Sequence, residues 1–158
     1  MTALVRRDLP RPSVRFLVAD VDGAVRGAAR LAIAQEQHPD GLAPLARAVG
    51  WPRAIRAAFA LGLVAHERLD EDEAYIEQFA VHADHRRRGI GRLLLDACEA
   101  QAADAGKRRV TLWVTEGNTA AVGLYGANGY RVVRRWRTLR GRILFNAPVA
   151  LLMEKRVR

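Results

Sequence analysis

Hydrophobic and polar positions change period several times along the chain, and each change marks an element. Arg15 to Asp20 is an apolar run built on Phe16, Leu17 and Val18. Asp22-Gly23 follows as a turn signal, and Ala24 to Ala34 continues apolar, which predicts a β-hairpin. Before it, residues 1–14 carry Pro10 and Pro12 among charges. They read as an extended lead-in, long enough for a first strand alone. Pro39-Asp40-Gly41 breaks the pattern. Leu42, Leu45, Ala46 and Val49 then recur at helical spacing up to Gly50, and Pro52 opens a second helix. There Trp51, Ile55, Phe59 and Leu63 form one stripe. These two helices, within Asp40 to His66, read first as packing elements.

Leu69 to Glu73 reads as a solvated acidic connection. Ala74 to His82 alternates as a strand, with Tyr75, Glu77, Phe79 and Val81 expected on one face. A glycine-containing turn leads into a helix carrying Leu94, Leu95, Cys98 and Ala102, closed by Gly106. Arg109 to Thr115 alternates again through Val110, Leu112 and Val114. Asn118 suits the cap of a short helix ending near Asn128-Gly129. Tyr130 to Leu139 and Ile143 to Glu154 read as two last strands, the second interrupted by Pro148. No repeat or low-complexity linker divides the 158 residues, so a single domain spanning 1–158 is expected, with a helical insertion at about 40–66. Strands alternating with helices argue for an α/β or α+β layer fold.

Composition narrows the class. Half of the residues are hydrophobic, which excludes a disordered chain. The longest apolar run, Ala57 to Ala65, falls well short of the roughly 20 residues a membrane helix needs. No basic-then-apolar leader opens the sequence. Cys98 is the only cysteine, so no internal disulfide can form. A soluble, cytoplasmic protein is the expectation. The formal net charge is +9, and only Lys107 and Lys155 among the 26 basic residues are lysine. Such an excess suits an anionic partner, or reflects a coding bias towards arginine and alanine. The four histidines and Cys98 lack metal-ligand spacing, so no metal is expected.

The densest chemistry is His85-Arg86-Arg87-Arg88-Gly89-Ile90-Gly91-Arg92. A strand enters this turn and a helix leaves it. Gly89 and Gly91 carry no Cβ to keep a ligand from the backbone. The first helix amides have no intrahelical partner, and with the helix dipole they form an anion site. A dinucleotide fingerprint would need a third glycine where Leu94 stands. A nucleotide-hydrolase loop would need Ser or Thr where Arg108 follows Gly106-Lys107.

The order strand, Arg86-x-x-Gly89-x-Gly91, amphipathic helix, strand, Asn118-x-x-Ala121-x-x-Leu124-Tyr125, Gly129-Tyr130 resembles the GNAT superfamily of acyl-CoA-dependent N-acyltransferases. The resemblance is strong from about Ala74 to Arg135. It implies a mixed, mostly antiparallel central sheet with helices on both faces. It implies acetyl transfer from acetyl-CoA to a primary amine. It also implies roles for residues. Arg86 opens the pyrophosphate motif, and the amides of Arg87, Arg88, Gly89, Ile90, Gly91 and Arg92 hold the pyrophosphate. The backbone of Phe79, Ala80 and Val81 pairs with the pantetheine arm. Asn118 contacts that arm, and Tyr125 stands near the thioester sulfur. A tyrosine, with pKa about 10, can protonate a leaving thiolate. Glu77, on the preceding strand, is the candidate base, against the alternative of a structurally paired glutamate. His82 and His85 are runner-up proton carriers.

Relatives usually place helices ahead of the hairpin, where this chain has about 14 residues. The Trp51–Leu63 stripe is therefore expected either to cover the acceptor mouth or to form a homodimer face. The competing function is a non-catalytic basic domain binding nucleic acid or an acidic partner, with nucleic acid the less favoured. A second arginine cluster, Arg131, Arg134, Arg135, Arg137, Arg140 and Arg142, has no place in cofactor binding. It reads as a solvated face, an oligomer contact or an anion-binding patch.

Overall fold

A computed structural model describes residues 13–34, 69–137 and 149–157, and the backbone of residues 3–8. The 40–66 stretch with its Trp51 stripe, Arg140 and Arg142 lie outside the described residues. The lead-in supplies β1 (Ala3–Asp8), which pairs antiparallel with β2 (Val14–Val21). The hairpin forms as expected, β2 turning into β3 (Ala24–Ala32) through Asp22 at φ 53° and Gly23 at φ 82°. Left-handed conformation at both positions is the turn whose twist matches two strands. Asp20 Oδ1 accepts from Gly23 N at 2.9 Å and fixes it.

After the long connection come β4 (Glu73–Val81), α1 (Ile90–Asp104), β5 (Arg109–Thr115), α2 (Thr119–Ala127), β6 (Arg131–Arg137) and β7 (Val149–Arg156). The sheet runs β1-β2-β3-β4-β5-β7-β6. Only β4–β5 is parallel, so the sheet is mixed and mostly antiparallel. The last strand in sequence, β7, inserts between β5 and β6 and begins directly after Pro148, which cannot donate to a ladder.

The apolar stripe of α1, Ile90, Leu94, Leu95, Cys98 and Ala102, lies against Leu17, Ala29, Leu31, Ile76, Leu112, Leu151 and Met153 of one sheet face. Contact is close enough that a Cβ on Gly27 of β3 would stand 2.9 Å from Leu94 Cδ1. Leu124 of α2 lies beside Gly91, so both described helices share this face.

The acidic loop is not a free connection. Asp70 and Asp72 pair with Arg109 of β5, which also reaches Glu73 of β4 at 3.5 Å and Glu154 of β7 at 3.2 Å. Burial works against charge on Arg109. The carboxylates Glu73, Glu154 and Asp72 nevertheless hold the guanidinium pKa above its ordinary value.

Burial pushes the Cys98 thiol and the Tyr75 phenol each up to about 12, and also raises Tyr125 and Tyr130. In the unfolded chain these groups lose protons from about pH 9–10, while the folded chain keeps them. The unfolded state then binds fewer protons, so stability falls as pH rises. Each group costs about 1.4 kcal/mol per pH unit within its window. Urea midpoints should drop from pH 8 to 10.5, less so in Cys98→Ala. A flat profile contradicts this burial.

Candidate active site

The parallel pair opens into a cleft. Pairing of β4 with β5 stops at Ile76–Leu112, yet β4 continues to Val81 and β5 to Thr115. The carboxyl ends of parallel strands at such a divergence are where open sheets receive ligands. His82 N donates to Arg26 O at 2.8 Å, which makes Gly27–Val81 a non-hydrogen-bonded pair of the antiparallel ladder. The backbone groups of Val81, and of Phe79 two residues earlier, therefore point away from β3 into the cleft. Ala80 lies between them with its groups turned to β3.

One residue in β4 breaks the alternation. Arg30 pairs with Gln78 and Leu31 with Ile76, so Glu77 is an extra, bulged residue. The expected common face of Tyr75, Glu77, Phe79 and Val81 is therefore corrected. Phe79 and Val81 turn to the α1 side, whereas Tyr75 and Glu77 lie on the opposite side. There Glu77 forms an ion pair with Arg30, which also stands over the Phe16 ring at 5.8 Å. The Tyr75 phenol is raised by burial first, then by Glu77 and Glu73.

The turn after β4 is shaped for an anion. Arg87 has φ 59° and Gly89, the N-cap of α1, has φ 82°. No side chain caps the helix, and no acidic residue sits in its first turn. Ile90, 1% exposed, pins the turn to the core, so these amides are held in place. Arg87 and Arg88 are exposed beside them, and Arg92 approaches Asp96 at 3.9 Å. Arg86 bends back, and its Nε donates to Val81 O at 3.3 Å. That carbonyl is thus already engaged, leaving Val81 N–H and the groups of Phe79 towards the cleft. The two glycines serve different ends. A Cβ on Gly89 would meet open space, but on Gly91 it would stand 3.0 Å from Leu124 Cδ2. Gly91 permits α2 to approach α1, so substituting it tests packing as well as binding. If the expected pyrophosphate of acetyl-CoA rests on these turn amides, Gly89→Asp sets a carboxylate beside it and should weaken that binding by about 10- to 100-fold in calorimetry. Gly89→Ala separates backbone strain from charge, and equal affinities for Asp and Ala would refute the anion site.

Tyr125 of α2, 7% exposed, meets Phe79 edge-on at 6.0 Å between ring centroids. It thereby joins α2 to the cleft segment of β4. Burial, then Cys98, raises its pKa, so the phenol is protonated at neutral pH. Asn118 caps α2, its Oδ1 accepting from Ala121 N at 3.3 Å. His82 and His85 pack edge-on at 5.6 Å beside the turn. Desolvation, then Arg26 and Arg88, lowers the pKa of His85.

Two neighbours escaped the sequence reading. Arg30 is one of several charges in the hairpin, beside Arg15, Asp20, Asp22 and Arg26, and nothing in the sequence singled it out. Trp113 lies on the face shared by Tyr75, since Thr111 is the β5 partner of Tyr75 and Trp113 is two residues on. Among the described residues no group of three His, Cys, Asp or Glu is placed to hold a metal, and no helix is long and apolar enough to cross a membrane.

The profile of the Acetyltransferase (GNAT) family matches residues 2–130. An L-ornithine N5-acetyltransferase from Arabidopsis thaliana is 38% identical over 66 residues, 42% of this chain and 29% of that protein. A GNAT family acetyltransferase from Elizabethkingia anophelis, solved with acetyl-CoA bound, superposes with a TM-score of 0.67 at 12% identity, covering 98% of each chain. The IAA acetyltransferase from Bacillus cereus gives 0.66 at 13% identity, covering 99% of this chain and 100% of that one. At these identities the two structures speak for the fold.

Proposed function

The chain belongs to the GNAT acetyltransferase family, and from that membership and the cleft we propose that it transfers an acetyl group from acetyl-CoA to a primary amine. The observation that carries this reading is the parting of β4 from β5 beside an uncapped, acid-free helix start. The residues present fit the donor. Amides from Arg87 to Arg92 would hold its pyrophosphate, with Arg86 ordering the turn. The Phe79 backbone and Val81 N–H would pair with its pantetheine arm, and Asn118 would border that arm. Acetyl-CoA, when bound, supplies an activated acetyl thioester.

Tyr125 holds a proton at its phenolic oxygen for the departing sulfur. Glu77, bulged to the opposite side and paired with Arg30, receives the acceptor's ammonium or takes its proton. Glu77→Gln should raise acceptor KM or lower kcat with acetyl-CoA affinity unchanged.

The decisive assay follows free thiol release from acetyl-CoA across polyamines, amino sugars, amino acids and peptide amines. Amine-dependent release supports transfer. Tight binding of acetyl-CoA with no release from any amine would overturn it.

A further inference from the structure

Four arginines of the cluster that cofactor binding leaves over, Arg131, Arg134, Arg135 and Arg137, lie on β6. This strand is the edge of the described sheet, and all seven of its residues, Arg131 to Arg137, are exposed. Arg134 and Trp136 side with Leu152 and Ala150 of β7, and Arg135 and Arg137 side with Leu151 and Val149. Both faces of the strand are therefore cationic. Trp136 leans on Trp113 at 6.2 Å, and Arg135 reaches Glu116 at 3.1 Å.

Edge strands are commonly blunted by charge and by bulges, and β6 has a bulge at Val133. A purely protective edge would not also expose large apolar groups. Val133 is 54% exposed, Val132 43% and Trp136 40%. Charge selects among occupants. A second copy of β6 would set arginines against arginines, which cross-strand pairing penalises. Nucleic acid would engage the arginines but leave the valines and the edge backbone unused. An extended acidic segment engages all three: carboxylates meet arginines on both faces, apolar side chains meet Val132 on one face and Trp136 on the other, and main chain pairs with main chain.

We propose that β6 is the docking edge for an acidic polypeptide segment, which adds to the sheet as a further strand. This does not depend on acetyl transfer, and either reading can fail alone.

The probe is a fluorescein-labelled peptide of repeated Glu-Glu-Val-Val, which puts both residue types on each face of a strand, followed by anisotropy against the full chain. Comparison probes are its alternately N-methylated copy and a single-stranded oligonucleotide of equal charge. The wild-type chain should bind the peptide and bind both comparison probes more weakly. Arg131→Glu with Arg137→Glu should weaken the peptide by about tenfold, with acetyl-CoA calorimetry unchanged. Arg131→Gln with Arg137→Gln should fall between, which covers any folding defect of the reversal. No peptide binding, equal binding of the N-methylated copy, tighter binding of the oligonucleotide, or unchanged affinity in both double variants would overturn the proposal. So would a change of oligomeric mass in light scattering on charge reversal, which would make the edge a self-contact.

Discussion

Tyr125→Phe is expected to lower kcat by about 10²–10⁴-fold and to leave acetyl-CoA affinity at the wild-type level. The size follows from removing one proton donor while keeping the ring. The ring is what the fold needs, since it packs on Phe79 and stands 5.9 Å from Tyr130. Phenylalanine preserves both contacts, so stability should hold. The comparison is made by pre-steady-state thiol release, where chemistry is separated from product release. Unchanged chemistry would leave Tyr125 with a packing role only. Tyr130 is the useful control. It is buried too, but its phenol is raised by burial, then by Glu99 of α1.

Arg109→Met is expected to cost about 2 kcal/mol of stability and to lower Tm by about 4–8 °C. Breaking a fully buried charge cluster costs about 3–5 kcal/mol. Arg109 is 27% exposed, so solvent screening reduces the figure. The loss arises because Asp70, Asp72, Glu73 and Glu154 remain facing one another without their shared cation. The cluster sits at the end of β4 and β5 far from the cleft, so acetyl-CoA affinity should be unchanged in the folded variant. Calorimetric melting checks it, and an unaltered Tm would reduce the cluster to surface decoration.

Local chemistry made much of this fold legible. Asp22-Gly23 announced its hairpin because few residues tolerate two successive left-handed positions. The α1 stripe and the glycine turn announced a helix start because spacing and backbone freedom are local properties. Glu77 shows the limit. Alternation predicted one face for Tyr75 through Val81, but a bulge exists only in relation to its partner strand. Nothing in the β4 letters says that Arg30 and Leu31 will oppose Gln78 and Ile76. The two roles of the glycines were hidden in the same way, since Leu124 meets Gly91 only after α2 has docked. Likewise the acidic loop read as solvated because its partner, Arg109, lies more than thirty residues further on.

The insertion of β7 between β5 and β6 also orders events during synthesis. Among the described strands, β6 pairs only with β7. A nascent chain that has reached Arg137 but not Val149 therefore holds a finished arginine-rich strand with no neighbour. The core positions of Leu151 and Met153 are still empty at that stage. β5 meanwhile waits with one side unpaired, so the cleft beside it has only one settled wall. Closure of the sheet is thus tied to residues 149–156, and a ribosome stalled before them would present an open, aggregation-prone edge rather than a smaller folded domain.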